Sequence, residues 1–331
     1  MIFMKKIFFI IVCVLIVCVS CNQKKYRYHE GFIQGTTFHI TYEHNVDLSR
    51  DIDSLLEVFN SYFSNYDSTS FISKINRNES DSLTPLMEKM FDIAFEVYKI
   101  SDSVFDITIA PLANLWSCGW KKSLQNIPDS SEINSVLQYI GMDKINIENH
   151  KIKKKNPNIT IIVNAIAQGL SCDYIAEHFD NQGVTNYLVE IGGEIFCKGV
   201  NSMGKKWSVG IINPETVNSA KEETEFVVEL SGKSVCTSGN YRKFIEVDGK
   251  KYGHELNPKT GYPAENSLLS VSVIANSAMY ADALSTAFMV LGLEKSIEII
   301  NSLPDVEAFF IYYDETGEKK SVFLKNKMSN Y

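Results

Sequence analysis

The segment Met279-Tyr-Ala-Asp-Ala-Leu-Ser-Thr-Ala-Phe-Met-Val-Leu-Gly292 constrains this chain more than any other. It has helical length, and the residues around Asp282 (Ala281, Ala283, Leu284, Ala287 and Phe288) are small or apolar. Such a helix belongs inside a fold, between other layers. Asp282 is carried in with it and needs a partner. Thr286 stands four residues on, on the same face. A carboxylate and a hydroxyl in that relation are two oxygen donors that suit a hard cation such as magnesium. An Asp near a helix N-terminus that interacts with its own backbone fits these residues equally well.

The rest of the chain supplies the enclosing layers. Gly35–Tyr42 alternates polar and apolar, which predicts a half-buried strand. Ile52, Leu55, Leu56, Val58 and Phe59 recur at helical spacing between Asp47 and Phe63. Further helices are expected over 85–101, over 129–140 and from 165 to near Gly183. Residues 104–120, apolar and aromatic but broken by Pro111, read as a compact buried loop or short helix. Two strands are expected in 145–164, around the basic turn His150–Lys155. Short strands then dominate: 186–190, 194–199, 207–212, 225–230, 243–247 and 268–274. After the 280–291 helix come another helix and a strand pair, 306–313 and 319–324. No internal repeat and no Gly/Ser- or Pro-rich linker divides the body. The expected architecture is α+β, a single domain of mixed or antiparallel sheets with packed helices.

The N-terminus, MIFMKKIFFIIVCVLIVCVSCNQKK, places two lysines before an apolar run that ends in Ser20-Cys21. It reads as a lipoprotein signal peptide over 1–20, with Cys21 carrying lipid after cleavage. Residues 21–34 read as a tether and 35–331 as the folded domain. The expected localisation is exported and lipid-anchored to a membrane at Cys21, on the periplasmic side. The formal charge is −8, and no basic stripe is present, which argues against nucleic acid as a partner. Cys118, Cys172, Cys197 and Cys236 show no C-x-x-C spacing, so no zinc site is suggested.

The loop Lys251-Tyr-Gly-His-Glu-Leu-Asn-Pro-Lys-Thr-Gly-Tyr-Pro263 is heavily punctuated. Pro258 pushes Asn257 out of the α region, and Gly261 permits a positive φ. A loop of this kind holds the His254 imidazole in one place, or is an ordinary hairpin with a chance histidine. Val189-Glu-Ile-Gly-Gly-Glu194 brings backbone close to a ligand or to another strand. Val235-Cys-Thr-Ser-Gly-Asn-Tyr-Arg-Lys243 offers hydroxyls at a turn, suited to phosphate or to capping. P-loop, G-x-G-x-x-G and G-x-S-x-G signatures are absent.

These pieces occur together and in order in one family. From Gly35 to about Gly292 the chain resembles the ApbE family of FAD:protein FMN transferases. The matching pieces are Gln34-Gly-Thr-Thr37, Phe63-Ser-Asn-Tyr66, Phe105-Asp-Ile-Thr108 with Pro111-Leu-Ala-Asn-Leu-Trp116, Asn164-Ala-Ile-Ala-Gln-Gly169, Tyr187–Glu194, Thr237-Ser-Gly-Asn-Tyr241, His254–Pro263 and Ala281-Asp-Ala-Leu-Ser-Thr286. The resemblance implies an ApbE-like fold and a magnesium site on Asp282, Thr286 and the backbone carbonyl of Ala165. It puts FAD contacts near Gln34, Tyr66, Val104, Phe105, Asp106, Gln168 and Leu256, and it puts His254 beside the reacting phosphate. Ile162 stands where the family often has Asp, and Gln168 where it has Lys or Glu.

The implied reaction is magnesium-dependent transfer of FMN from FAD, the substrate, to a Thr or Ser hydroxyl of an acceptor, with release of AMP. His254 is the implied general base, since imidazole accepts protons near neutral pH. The implied partners are acceptor flavoprotein subunits of membrane redox complexes, and the membrane itself through the N-terminal lipid. An FAD pyrophosphatase and a non-catalytic, lipid-anchored flavin-binding protein are the alternatives.

Overall fold

The computed structural model describes residues 25–118, 127–217, 219, 222–240, 244–247 and 250–326. The expected signal peptide over 1–20 and Cys21 lie outside the described residues. The chain begins with β1 (Tyr26–Ile33) and β2 (Thr36–Glu43), followed by α1 (Ser49–Phe63), α2 (Phe71–Asn76), α3 (Pro85–Ile100), α4 (Ala110–Leu115) and α5 (Ser130–Leu137). A small hairpin, β3 (Ile145–Glu148) and β4 (Lys151–Lys154), leads to α6 (Ala167–Asn181). Next come β5 (Tyr187–Ile191), β6 (Glu194–Lys198), β7 (Trp207–Ile212), β8 (Thr224–Leu230), β9 (Lys233–Gly239), β10 (Phe244–Val247), β11 (Lys250–Gly253) and β12 (Leu268–Ala275). Two helices, α7 (Ala278–Leu291) and α8 (Leu293–Ser302), and two strands, β13 (Glu307–Tyr313) and β14 (Lys319–Lys325), complete it.

Eight strands form one sheet in the order β1-β2-β5-β6-β9-β12-β13-β14, antiparallel at every step. Its register sorts the side chains into two faces. Phe38, Ile40 and Tyr42 of β2 lie opposite Ile191, Val189 and Tyr187 of β5, and all six join the main core with α1, α3, α6 and α7. On the other face Cys197, Val235, Ile274 and Phe309 meet the β7–β8 ribbon through Trp207, Val209, Ile211, Val228 and Leu230.

The helix α7 is enclosed as its composition requires. Ala281, Ala283, Leu284, Ala287 and Phe288 are all fully buried, with α6 on one side and β9 and β12 on the other. Its first turn would leave N–H groups unpaired inside the protein. Asp173 of α6 fills that gap: it accepts from Ala278 N at 2.8 Å, Met279 N at 3.0 Å and Ser277 Oγ at 2.6 Å. The two helices cross closely at Gly169. A Cβ there would sit 2.3 Å from the Ala278 carbonyl oxygen and 2.8 Å from Asp282 Cβ.

The tether reading of 21–34 is corrected over Tyr26–Ile33, which form the edge strand β1. Its period-2 pattern is inverted in character: Tyr28 and Phe32 are exposed, whereas Gly31 is on the inner face. A Cβ at Gly31 would lie 2.6 Å from the Phe38 ring, so glycine makes room for that ring to cover the strand. The turn reading of 235–243 is also corrected, because Lys233–Gly239 are β9. Its small side chains, Ser234 and Cys236 among them, are what let α7 pack flat across it.

Gly169→Ala is expected to destabilise the protein by about 1–3 kcal/mol, the usual cost of overpacking. A lowered urea midpoint with an unchanged slope would show this; an unchanged midpoint would mean that the crossing relaxes freely.

Candidate active site

One end of the sheet opens into a cleft of about 640 Å³. The β1–β2 hairpin contributes Gln34, Gly35 and Thr36, and the β5–β6 hairpin Gly192 and Glu194. The end of β9 adds Thr237, Ser238 and Gly239, while α7 supplies Asp282, Thr286 and Val290. The segment 104–107 and the loop 254–256 complete the wall, together with 162–168, which runs into α6. Of the residues singled out from sequence, Gln34, Val104, Phe105, Asp106, Ala165, Gln168, His254, Leu256, Asp282 and Thr286 all line this one space. Tyr66 does not. It is exposed and lines two smaller pockets alongside, with its hydroxyl accepting from Asn164 Nδ2 at 3.2 Å. Phe105 forms part of the wall but belongs to the main core.

Asp282 is 5% exposed, and one of its oxygens accepts from Gly169 N at 3.0 Å. Burial pushes its pKa up to about 7, against the help of that amide, with the Glu255 carboxylate adding to the rise. A lone carboxylate in this position is costly unless a cation joins it. Thr286 Oγ1 lies 3.2 Å from Ser238 Oγ, which in turn is 2.8 Å from Ser285 Oγ. The floor of the cleft is thus a set of hydroxyls around one carboxylate, with the Ala165 segment alongside, a donor set of oxygens that fits a hard cation. No cluster of three His, Cys, Asp or Glu side chains able to hold a metal occurs among the described residues.

His254 sits at the start of the punctuated loop. Its Nε2 is 3.1 Å from Glu255 Oε1, and its side chain is 27% exposed. The loop is rigid for identifiable reasons. Asn257 N donates to Tyr262 O and Gly261 N to Asn257 O, each at 2.8 Å. Asn257 Oδ1 accepts from Lys259 N at 2.9 Å, closing an Asx turn. Trp116, fully buried, donates its indole N–H to Gly261 O at 2.8 Å. Gly261 has φ 79°, and a Cβ there would come within 2.2 Å of Ile133. Both the turn and the close approach therefore require glycine.

Two acids of the cleft, Glu194 and Glu255, were not among the residues singled out. Both sit inside quoted motifs, next to the residues that were, but a carboxylate beside a glycine pair or a histidine gives no periodic signal. With Asp106 and Asp282 they make four carboxylates, and no Lys or Arg is among the described residues that line the space. Gln34 adds a donor: its Nε2 is buried at the edge of the cleft and has no hydrogen-bond partner, so a bound molecule with an acceptor there would satisfy it.

Known proteins resemble this chain over most of its length. The model of the ApbE family matches residues 34–310. The FAD:protein FMN transferase of Haemophilus influenzae is 33% identical over 81% of this chain and 82% of its own length, and that of Escherichia coli K12 is 32% identical over 82% and 80%. Among solved structures, the flavin transferase ApbE from Vibrio cholerae superposes with a TM-score of 0.82, at 29% identity, over 92% of this chain and 98% of that one.

Asp106 gives a pH-dependent prediction. Its carboxylate accepts from Thr108 N and Oγ1 at 2.7 and 2.6 Å, but burial outweighs these bonds and pushes its pKa up to about 6. In the unfolded chain an Asp titrates near 3.9. The folded form therefore binds the proton more tightly, and this group's contribution to stability is present in full below about pH 4 and is lost as pH rises through about 6, to the extent of about 3 kcal/mol. Asp106→Asn should remove that slope. Urea denaturation in metal-free buffer at pH 4 and pH 7 measures it; equal pH dependence in both proteins would refute the assignment.

Proposed function

The chain belongs to the ApbE family, and on that premise we propose that it is an FAD:protein FMN transferase, moving FMN from FAD to a Thr or Ser hydroxyl of an acceptor flavoprotein. The observation that carries this reading is the convergence of His254, Asp282, Thr286 and Ala165 on one cleft. A pyrophosphate is an anion, and four carboxylates with no Lys or Arg among the described lining residues would repel it. A cation must come with it, and the buried Asp282 is where one fits. Magnesium is therefore assigned to the Asp282 carboxylate, the Thr286 hydroxyl and the Ala165 carbonyl. When bound, it neutralises charge on the phosphates and on the departing AMP.

The chain's own residues do the rest. The acceptor's hydroxyl oxygen forms a bond to the phosphorus on the FMN side, the bond from that phosphorus to the bridging oxygen breaks, and AMP leaves with that oxygen. His254 takes the hydroxyl proton, and Glu255, 3.1 Å away, holds the imidazole in place. Gln34 Nε2 donates to the bound flavin nucleotide. The apolar wall of Val104, Ile109, Ile162 and Val290 offers a surface for the ring systems. The acceptors are taken to be subunits of membrane redox complexes. The enzyme itself is read as an exported lipoprotein, anchored through Cys21 on the periplasmic side after removal of residues 1–20.

Asp282→Ala removes the only charged ligand of the assigned metal. The variant should stay folded and give no in-gel flavin fluorescence on an acceptor at any magnesium concentration; normal labelling at limiting magnesium would sink the metal assignment. In wild type, release of FMN and AMP without labelling would mark a hydrolase instead.

His254→Ala should slow transfer by roughly 10²–10⁴ at saturating FAD while changing FAD affinity little, because a base acts on a hydroxyl absent from the FAD complex. Single-turnover rates with a separate FAD titration test this. Weak binding combined with normal turnover at saturation would make His254 a binding residue.

A further inference from the structure

The end of the sheet opposite the cleft has a different chemistry. Tyr26, Glu43, Tyr187 and Lys198 stand there by register, and eight residues of β1 separate it from the cleft hairpin, about 26 Å at strand rise. The turn after β6 projects from this end. Asn201 fixes it: its Oδ1 accepts from Met203 N at 3.0 Å and Lys205 N at 3.1 Å, and its own N–H donates to Lys205 O at 2.7 Å. Met203, at the tip, is 74% exposed. Lys205 and Lys206 are exposed beside it. The start of β1 is stapled to this turn, since the Tyr26 hydroxyl donates to Val200 O at 2.7 Å and its ring packs edge-on against Trp207. That brings Lys25 and Arg27 alongside. The neighbouring loop, held by a bond from His44 N to Lys25 O at 3.1 Å, exposes Val46 at 59%.

The charges at this end are unbalanced. Lys25, Lys205 and Lys206 form no salt bridge among the described residues, and Arg27 spends its donors on the carbonyls of His44 and Asn45. Of the nearby acids, Asp180 is paired with Lys198 at 2.9 Å, while Glu43, which accepts from Asn186 at 2.6 Å, and Asp47, which accepts from Ser49, keep their charge, two acids against four cations. A fixed turn with a bare methionine at its tip, ringed by cations, stands out on a chain of formal charge −8.

We propose that this end docks on an anionic lipid surface. Met203 and Val46 enter the headgroup boundary, and Lys25, Arg27, Lys205 and Lys206 meet the lipid phosphates. Charge complementarity favours this orientation, because an anionic bilayer attracts the unpaired cations at this end and repels a chain of formal charge −8 as a whole. Chain length points the same way. The inference rests on the lipid-anchor reading of Cys21, which leaves four residues, 22–25, before Tyr26. Fully extended, they span about 14 Å, so lipid at Cys21 draws this end, and not the cleft, to the membrane. The cleft then faces away from the bilayer, toward acceptor domains that stand off it.

The test uses the full chain in vesicles of phosphatidylglycerol with phosphatidylcholine, or of phosphatidylcholine alone. Nitroxide labels go at Met203→Cys or at Glu315→Cys, the latter on the β13–β14 turn at the cleft end, with Cys118→Ser in the background. Expected is strong protection of the Met203 label from an aqueous nickel chelate on the anionic vesicles, none for the Glu315 label, and a protection weakened at least about tenfold by Lys205→Glu with Lys206→Glu. Flotation of the vesicles reports the anchor separately. Protein that floats while its Met203 label stays as accessible as the Glu315 label overturns the docking face and keeps the anchor. Protein that fails to float alone, yet is protected at excess anionic vesicle, keeps the docking face and rejects the anchor. Neither flotation nor protection overturns both.

Discussion

Everything at the cleft depends on one buried carboxylate. Asp282 lies on a helix with no polar face, so the fold has to bring it inside, and once inside it is held by a single amide, that of Gly169. The close crossing of α6 and α7 exists to make that contact: glycine removes the one Cβ that would block it, and Asp173 satisfies the N-terminal N–H groups that the crossing buries. The eight-stranded sheet serves as the platform behind them. β9 is built of small residues because α7 has to lie against it, and the hydroxyls of Ser238, Ser285 and Thr286 meet where the two elements touch. Burial raises the pKa of Asp282 to about 7, as expected of a carboxylate packed inside with a single amide as its partner.

The electrostatics of the cleft follow from the same logic. A protein that bound a phosphate ester through its own side chains would line the space with Arg or Lys. This one lines it with acids and leaves Gln34 as a neutral donor. On the proposed reading, a cation held at Asp282 would supply the positive charge that the described lining residues lack.

Much of this was legible in the sequence, for reasons that can be named. Helices with a clear apolar stripe were bounded closely; α1 and α3 end where their spacing ends, and α7 was legible as an enclosed helix from composition alone. Motifs that recur in fixed order brought ten site residues to one cleft from five separate segments, one of them the helix α7, which periodicity by itself would never have joined. What failed were elements whose side chains contradict their burial. β1 carries its aromatics Tyr28 and Phe32 outward and a glycine inward, and β9, Lys-Ser-Val-Cys-Thr-Ser-Gly, carries two serines and a closing glycine, which favour turns. In both, a neighbour across the sheet or above it decided the conformation. Tyr66 was displaced from the cleft for a related reason: sequence proximity to Phe63 and Asn65 says nothing about which side of the 161–164 segment its ring takes.

The depth of each group in the cleft orders the reaction in space. Asp282 is nearly sealed and Thr286 stands on the same face of the same helix, so the proposed ion site would be the deep end of the cleft. His254 is partly open, on a loop whose path is fixed by Trp116, Asn257 and Gly261. On the proposed reading, a base at the rim would meet a hydroxyl arriving from outside on a folded partner, with the nucleotide held from below. The rigidity of the loop then matters more than its sequence: an imidazole that must wait for a macromolecular partner has to be in place before the partner comes, and the turn, the indole bond and the glycine keep it there.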